Sequence, residues 1–194
     1  MVARALILGS SSPYRRELLA RLGLSFTSVA PEVDESPRAN ETPAAIAQRL
    51  ALAKAQAVAA SHPNALIIAS DQVADLDGKP LGKPGDRSNA VRQLRAMRGR
   101  RVAFHTALCL FDSASARHQL ENVPTVVTFR DLDDAQIEHY LDREKPYDCA
   151  GSAKIESLGI ALVARIDSSD PSALIGLPLV ALVTMLAREG ITVL

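Results

Sequence analysis

The chain has no tryptophan, four phenylalanines and three tyrosines, so aromatic residues make up 4% of its 194 positions. That supply leaves little for the stacking platforms on which single-stranded nucleic acid is held. Net charge is also absent, because 22 Lys and Arg residues offset 22 Asp and Glu residues. No global field draws the protein to nucleic acid or to an anionic membrane, and any anion has to be bound by local chemistry. No run approaches the roughly 20 apolar residues of a membrane span. The start, Met1-Val2-Ala3-Arg4-Ala5-Leu6-Ile7-Leu8, carries one basic residue and too short an apolar stretch for a signal peptide. The expectation is a cytoplasmic protein without nucleic-acid or membrane partners. The two cysteines, Cys109 and Cys149, lie far apart, outside any CxxC pair and away from clustered histidines, which argues against a zinc site or a disulfide scaffold. Both read as buried thiols. There is no GxxxxGK[ST] loop and no GxGxxG after a strand, so neither a P-loop nor a dinucleotide fold is supported.

What is present is 47% hydrophobic residues, enough for one core or for two lobes sharing a sheet. Ala5 to Leu8 reads as a short buried strand, Ser12 as the N-cap of a helix that opens on Pro13 and stops at Gly23, and Phe26 to Ala30 as a second strand. Thr42-Pro43 opens a long helix to about Ala60 with Ile46, Leu50, Ala53 and Ala57 on its apolar face. Ala65 to Ala69 is a buried strand that ends at Ser70-Asp71-Gln72, and Asp77-Gly78 is a turn. A helix follows from Asp86 to Gly99, then two strands, Arg101 to Phe111 and Glu121 to Phe129, as an antiparallel pair. A helix from Asp133 or Asp134 ends at Lys145-Pro146, Ile160 to Ile166 is a strand, and Leu179 to Glu189 a closing helix. Helices and strands interleave throughout, which predicts an α/β fold on a mixed sheet.

Cleaving a phosphoanhydride needs cations and donors around the phosphates, carboxylates to hold a divalent metal and orient water, and a pocket for the base. Ser10-Ser11-Ser12-Pro13-Tyr14-Arg15-Arg16 puts hydroxyls, backbone N–H groups and guanidinium groups at a helix N-terminus, where phosphate binds well. The same segment reads equally as an ordinary capped helix with solvated arginines. Asp34-Glu35 lies in an acidic, proline-bounded loop, and Asp71 is read at the carboxyl end of a strand, where ligands of α/β sheets gather. Lys54 lies on the edge of the apolar stripe of its helix, either functional or a snorkelling stem with its ammonium in water. Lys83 sits between Gly82 and Pro84 in a stiff loop or a plain surface turn. His105 has no triad partner in sequence and reads as a packed or partly exposed histidine.

Taken together and in order, these segments resemble the Maf family of nucleotide pyrophosphatases along essentially the whole chain. The resemblance rests on Ser10-x-Ser12-Pro13-x-Arg15, Pro31-x-x-Asp34-Glu35, Lys54, Ser70-Asp71-Gln72-Val73, Gly82-Lys83-Pro84, Ala150-Gly151 and Gly176-Leu177-Pro178-Leu179. It implies a single domain over residues 1–194, an elongated mixed β-sheet with flanking helices and two lobes around a central cleft, and hydrolysis between the α- and β-phosphates of a nucleoside triphosphate. It also implies a divalent metal, Mg or Mn, at Glu35 and Asp71, with Asp71 as catalytic base, Glu35 assisting at metal and water, and Ser10, Ser12, Arg15, Lys54 and Lys83 around the phosphates. The commoner family pattern has Arg where this chain has Tyr14 and Thr where it has Gln72. With Glu156, these departures resemble the branch associated with 7-methyl-GTP rather than dTTP and UTP. An aromatic face and a carboxylate suit the delocalised positive charge of N7-methylguanine, and Gln72 offers both a donor and an acceptor. The alternatives are a pyrophosphatase for other nucleotides and a nucleotide-binding regulator of cell division. The sequence does not set the oligomeric state, and a homodimer is compatible with such a fold.

Overall fold

The computed structural model describes residues 4–194; the reading of Met1 to Ala3 as part of a start without a signal peptide lies outside them. Strand β1 (Ala5–Gly9) leads into helix α1 (Pro13–Ala20), and β2 (Thr27–Val29) returns parallel to β1. Helix α2 (Pro43–Ala59) crosses over to β3 (Ala65–Leu76), which also runs parallel to β1. At Asp77-Gly78, where both residues have positive φ, the chain reverses into β4 (Lys79–Leu81), as a two-residue hairpin turn requires. Helix α3 (Arg87–Met97) precedes the long antiparallel pair β5 (Arg101–Asp112) and β6 (His118–Phe129). Helix α4 (Asp134–Glu144), 3-10 turns at Ala150–Ser152 and Leu158–Leu162, β7 (Val163–Ser168), a 3-10 turn at Ala173–Ile175 and helix α5 (Leu179–Arg188) complete the chain. The strand order is β2-β1-β3-β5-β6-β7, with β4 on β3. The mixed α/β class is as expected.

Three apolar clusters flank this sheet. One face carries α2, whose Ile46, Ala47, Leu50, Ala51, Ala55 and Val58 pack on Ile67, Ala69 and Val73 of β3. The opposite face carries two clusters: Leu66 and Ile68 pack with α1 and α5, and Ala74 and Leu76 pack with α3 and α4. Between these two lies a polar row. Ser70 and Gln72 of β3 and Thr106 of β5 send their side chains to the main-chain carbonyls of Ala173, Leu174 and Gly176.

That row corrects the reading of β3. The strand does not stop at Ser70; it runs on to Leu76, because its interior polar side chains are satisfied by hydrogen bonds instead of by water. Asp71 is therefore in mid-strand. The buried face of α2 is also rotated from the expected one: Ala53 and Ala57 are half-buried, and the stripe runs through Ala51, Lys54, Ala55 and Val58. An alanine-rich helix has several nearly equivalent apolar faces, so periodicity alone does not choose among them. The last strand begins at Val163 rather than Ile160, since Gly159 closes a turn on the Lys154 carbonyl at 2.9 Å. Cys109 is buried as expected, but Cys149 is only partly so; burial pushes both thiols up to about 12.

Helix α5 has Pro178 at its N-cap and so no side-chain cap of its own. Its first N–H groups are taken instead by the preceding loop: Val180 N donates to Asp170 Oδ2 at 2.8 Å and Leu179 N to Ser172 Oγ at 2.8 Å. Asp170 Oδ1 in turn accepts from the Ser172 N–H at 3.0 Å and hydroxyl at 2.6 Å. Asp170 is buried, and removing it leaves several donors without a partner. Asp170→Ala is expected to lower unfolding stability by roughly 2–3 kcal/mol, read as a lower urea midpoint at unchanged slope.

Candidate active site

The register of β3 creates an opening. Along one edge β3 pairs with β5 from Leu66 to Asp75; along the other, β1 pairs only as far as Ile68 and β4 only from Ala74 onward. The stretch from Ala69 to Val73 thus has no strand on its second edge, and Asp71 stands at its centre. Its side chain faces α2, where Lys54 Nζ donates to Asp71 Oδ1 at 2.5 Å. The same ammonium meets Glu35 Oε1 at 2.6 Å. Lys54 and Asp71 are each 7% exposed, so the lysine is no snorkelling stem; its charge is held between two carboxylates. Burial raises the Asp71 pKa above its ordinary value, against the pull of Lys54 and Arg15. Burial also pushes Glu35 upward, but the hydrogen bond and charge of Lys54, with Lys83 and Arg15, leave it below the usual carboxylate value. Two neighbouring carboxyls are thereby driven in opposite directions, a pattern found where acid and base roles are divided.

Glu35 projects from the loop between β2 and α2, and that loop is braced by residues the motif reading passed over. Arg49 of α2 grips Glu41 through two nitrogens, at 2.5 and 2.8 Å, and donates to the Ser36 carbonyl at 3.1 Å. The Asp34 carboxylate accepts from the Ser36 N–H at 2.9 Å, so Asp34 shapes the loop. The signal available in sequence was Glu41 and Arg49 flanking the start of a helix, which reads as an ordinary surface pair.

At the carboxyl end of β1, Ser10 Oγ accepts from the Ser12 N–H at 3.1 Å, and Ser12 Oγ caps α1 by accepting from the Arg15 N–H at 3.4 Å. Both hydroxyls act as acceptors here, which leaves their O–H hydrogens to donate. Arg15 Nε donates to the Gly176 carbonyl at 2.9 Å. A side chain at Gly176, whose φ is +116°, would press on Arg15, so the turn has to be glycine for the guanidinium to sit there. Burial lowers the Arg15 pKa, while Asp71 and Glu35 raise it, which places the guanidinium within their field. Lys83 is exposed and contributes to the field at Glu35. Lys54 thus bridges the Glu35–Asp71 pair, and the charges of Arg15 and Lys83 reach it from two further segments, Arg15 from the one that also carries Ser10 and Ser12.

The three residues expected at the base behave differently. Lys154, which the motif reading did not single out, acts on two of them: its ammonium lies 5.7 Å from the Tyr14 ring centroid, and its charge lowers the Glu156 pKa against burial. Gln72 is not part of that group. Its amide nitrogen donates to Thr106 Oγ1 at 2.9 Å and to the carbonyls of Ala173 and Leu174 at 3.1 and 3.0 Å. Its amide nitrogen is thus engaged in holding the 173–176 turn.

Other candidates fall away. His105 is partly buried between Asp75 at 3.4 Å and Asn122 at 3.2 Å, as a packed histidine. A cavity of about 480 Å³ lined by Leu132, Tyr140, Leu158 and Leu162 lies beside α4, away from the lysine-bridged carboxylates. No cluster of three or more His, Cys, Asp or Glu with metal-binding geometry occurs among the described residues.

Comparison with known proteins identifies the family. A family model for Maf-like proteins matches residues 5–189. A 7-methyl-GTP pyrophosphatase of Cupriavidus pinatubonensis is 60% identical over 185 residues, covering 95% of this chain and 93% of its own. Proteins of the same name are 59% identical over 189 residues in Methylobacillus flagellatus, covering 97% and 98%, and 60% identical over 181 residues in Ralstonia nicotianae, covering 93% of each. With a family match over nearly all its length and relatives this similar end to end, the chain belongs to the Maf family of proteins.

Proposed function

We propose that the protein hydrolyses 7-methyl-GTP to 7-methyl-GMP and diphosphate, using a divalent metal cation, Mg²⁺ or Mn²⁺. The observation that carries this reading is the buried Lys54 ammonium bridging Glu35 and Asp71 at 2.6 and 2.5 Å, in the uncovered edge of β3 beside the Ser10–Arg15 loop. The names and near-complete coverage of the relatives supply the substrate.

The donor set suits a hard divalent ion. Each carboxylate gives one oxygen to Lys54, so a second oxygen on each is available, and two carboxylates completed by phosphate oxygens and water make a typical Mg²⁺ or Mn²⁺ environment. Three cationic side chains, Arg15, Lys54 and Lys83, face two carboxylates, which leaves the site short of positive charge for a triphosphate. When bound, the metal supplies that charge and acidifies water. The chain's own groups do the rest. Arg15 and Lys83, with the Ser10 and Ser12 hydroxyls, hold phosphate oxygens; Asp71, its pKa raised by burial, accepts the proton of the attacking water; Lys54 keeps both carboxylates in place and counters charge that develops on the phosphates. Tyr14 offers its ring to the base, and Glu156 a carboxylate to the base's positive charge and its N1–H and amino edge. Two free cysteines agree with a reducing compartment, and we place the reaction in the cytoplasm.

Diphosphate release from 7-methyl-GTP, GTP, dTTP and UTP tests the reaction. The expected result is fastest turnover of 7-methyl-GTP, abolished by chelator and restored by Mg²⁺ or Mn²⁺. Preference for dTTP or UTP overturns the substrate; release undiminished by chelator overturns the metal. Asp71→Asn, which retains an oxygen for the Lys54 hydrogen bond, is expected to lower kcat by about a hundredfold or more at little change in Tm, and near-normal turnover in that variant removes Asp71 from its role. Glu156→Ala is expected to shift the kcat/KM ratio away from 7-methyl-GTP toward GTP; an unchanged ratio places the base elsewhere.

A further inference from the structure

The 150–158 loop carries a group that the reaction as described does not use. Lys154 Nζ is paired with Glu144 Oε1 at 2.8 Å, and Glu144 also accepts from the Ser157 hydroxyl at 2.7 Å and the Leu158 N–H at 3.0 Å. The Lys154 main-chain N–H donates to the Tyr140 hydroxyl at 3.1 Å, which donates to the Ser152 carbonyl at 3.1 Å. Gly159 seals the turn from below, since any side chain there would strike the Lys154 carbonyl. So heavily anchored a loop holds its lysine in one place. From there the ammonium crosses to α1 and lies 5.7 Å from the Tyr14 ring centroid. Glu144, followed by the Tyr14 hydroxyl, keeps Lys154 protonated well above the ordinary lysine value, so it acts only as a donor.

We propose that Lys154 is a specificity-determining residue that donates a hydrogen bond to O6 of the guanine ring resting on Tyr14, beside Glu156, which accepts from N1–H and the 2-amino group. This rests on the reading of the reaction as 7-methyl-GTP hydrolysis. One donor followed by one double acceptor matches the edge of guanine, an acceptor at O6 followed by two donors, and opposes adenine, which has a donor at the 6-position and an acceptor at N1. A lysine beside a cationic base raises an objection of like charge, and Glu144 answers it. With its charge matched at 2.8 Å, Lys154 offers N–H groups without adding net positive potential, and the Glu156 carboxylate remains for the charge of the base. A site built to bond a polar substrate atom rejects the analogue lacking it far more strongly than an apolar pocket does.

The test compares kcat/KM for 7-methyl-GTP and for 7-methyl-6-thio-GTP, in which a weakly accepting sulfur replaces O6 while N1–H and the 2-amino group remain, in wild type, Lys154→Met, Lys154→Arg and the double variant Lys154→Met/Glu144→Gln. The wild type is expected to disfavour the analogue by about tenfold or more, the value of one hydrogen bond to a charged donor. Lys154→Met is expected to lose that discrimination through slower use of 7-methyl-GTP, and Lys154→Arg to keep most of it. The double variant, which leaves no unpaired carboxylate and retains an oxygen for the Ser157 and Leu158 bonds, is expected to behave as Lys154→Met and decides the matter if the single variant does not fold. Equal loss on both substrates, with the ratio kept, is what a purely structural role gives and overturns the proposal. A wild type that hydrolyses 7-methyl-GTP but ignores O6 overturns the Lys154 assignment alone; one that does not hydrolyse 7-methyl-GTP overturns the function on which it rests.

Discussion

A buried carboxylate is tolerated in a β-sheet only when something compensates for the water it has lost, and Lys54 is what compensates Asp71. Much of the surrounding architecture follows from the need to deliver that ammonium. Helix α2 lies close to the sheet because Ala47, Ala51 and Ala55 are fully buried against it, and small side chains allow the helix to approach. Between Ala51 and Ala55, Lys54 reaches across to β3. The same ammonium fixes Glu35, which comes from an exposed loop, and that loop is tied back to α2 by Arg49. One helix therefore supplies the charge that permits the buried acid, and the brace that brings the second acid to it.

The opposite face of β3 solves a related problem. Ser70, Gln72 and Thr106 break what would otherwise be a continuous apolar face, and they divide it into the cluster under α1 and α5 and the cluster under α3 and α4. Each is satisfied by a carbonyl of the 173–176 turn. Since Gly176 also receives Arg15, the turn positions that guanidinium near the end of β1 while it closes the polar seam. The Asp170 cap on α5 holds the other end of this segment. Alternation along one strand thus sends Asp71 to one side, toward Lys54, and Ser70 and Gln72 to the other, where they hold the turn that receives Arg15.

Much of this was legible in the sequence. Strong local signals, such as Ser12-Pro13 at a helix start, Asp77-Gly78 in a hairpin and the apolar runs of β1 and β5, specified their elements, and the ordered motifs included Glu35, Lys54 and Asp71, which the fold joins. What was not legible depends on partners distant in the chain. The continuation of β3 through Ser70-Asp71-Gln72 needs the 173–176 carbonyls, about a hundred residues away. The rotation of α2 needs the sheet, because its alanines make every face nearly apolar. Gln72 was read from its chemistry, which suits a base, whereas its direction is set by strand alternation. Lys154 carries no motif; only folding brings it to Tyr14.

The zero net charge with which the sequence opens conceals a local polarity that matters to a dipolar substrate. Around the β3 opening, Arg15, Lys54 and Lys83 outnumber Glu35 and Asp71, while on the 144–156 side Glu144, Asp148 and Glu156 outnumber Lys145 and Lys154, with Glu144 and Asp148 raising the Glu156 pKa beyond what burial does. On the proposed reading, the first region meets the phosphates and the second a base that is itself positive. A nucleotide with a neutral base gains only from the first. One with a cationic base gains from both, and only in one orientation, because reversing it sets phosphate against carboxylates and cation against lysine and arginine. The same distribution therefore orients the substrate and favours the methylated base, and it requires no excess charge on the protein as a whole.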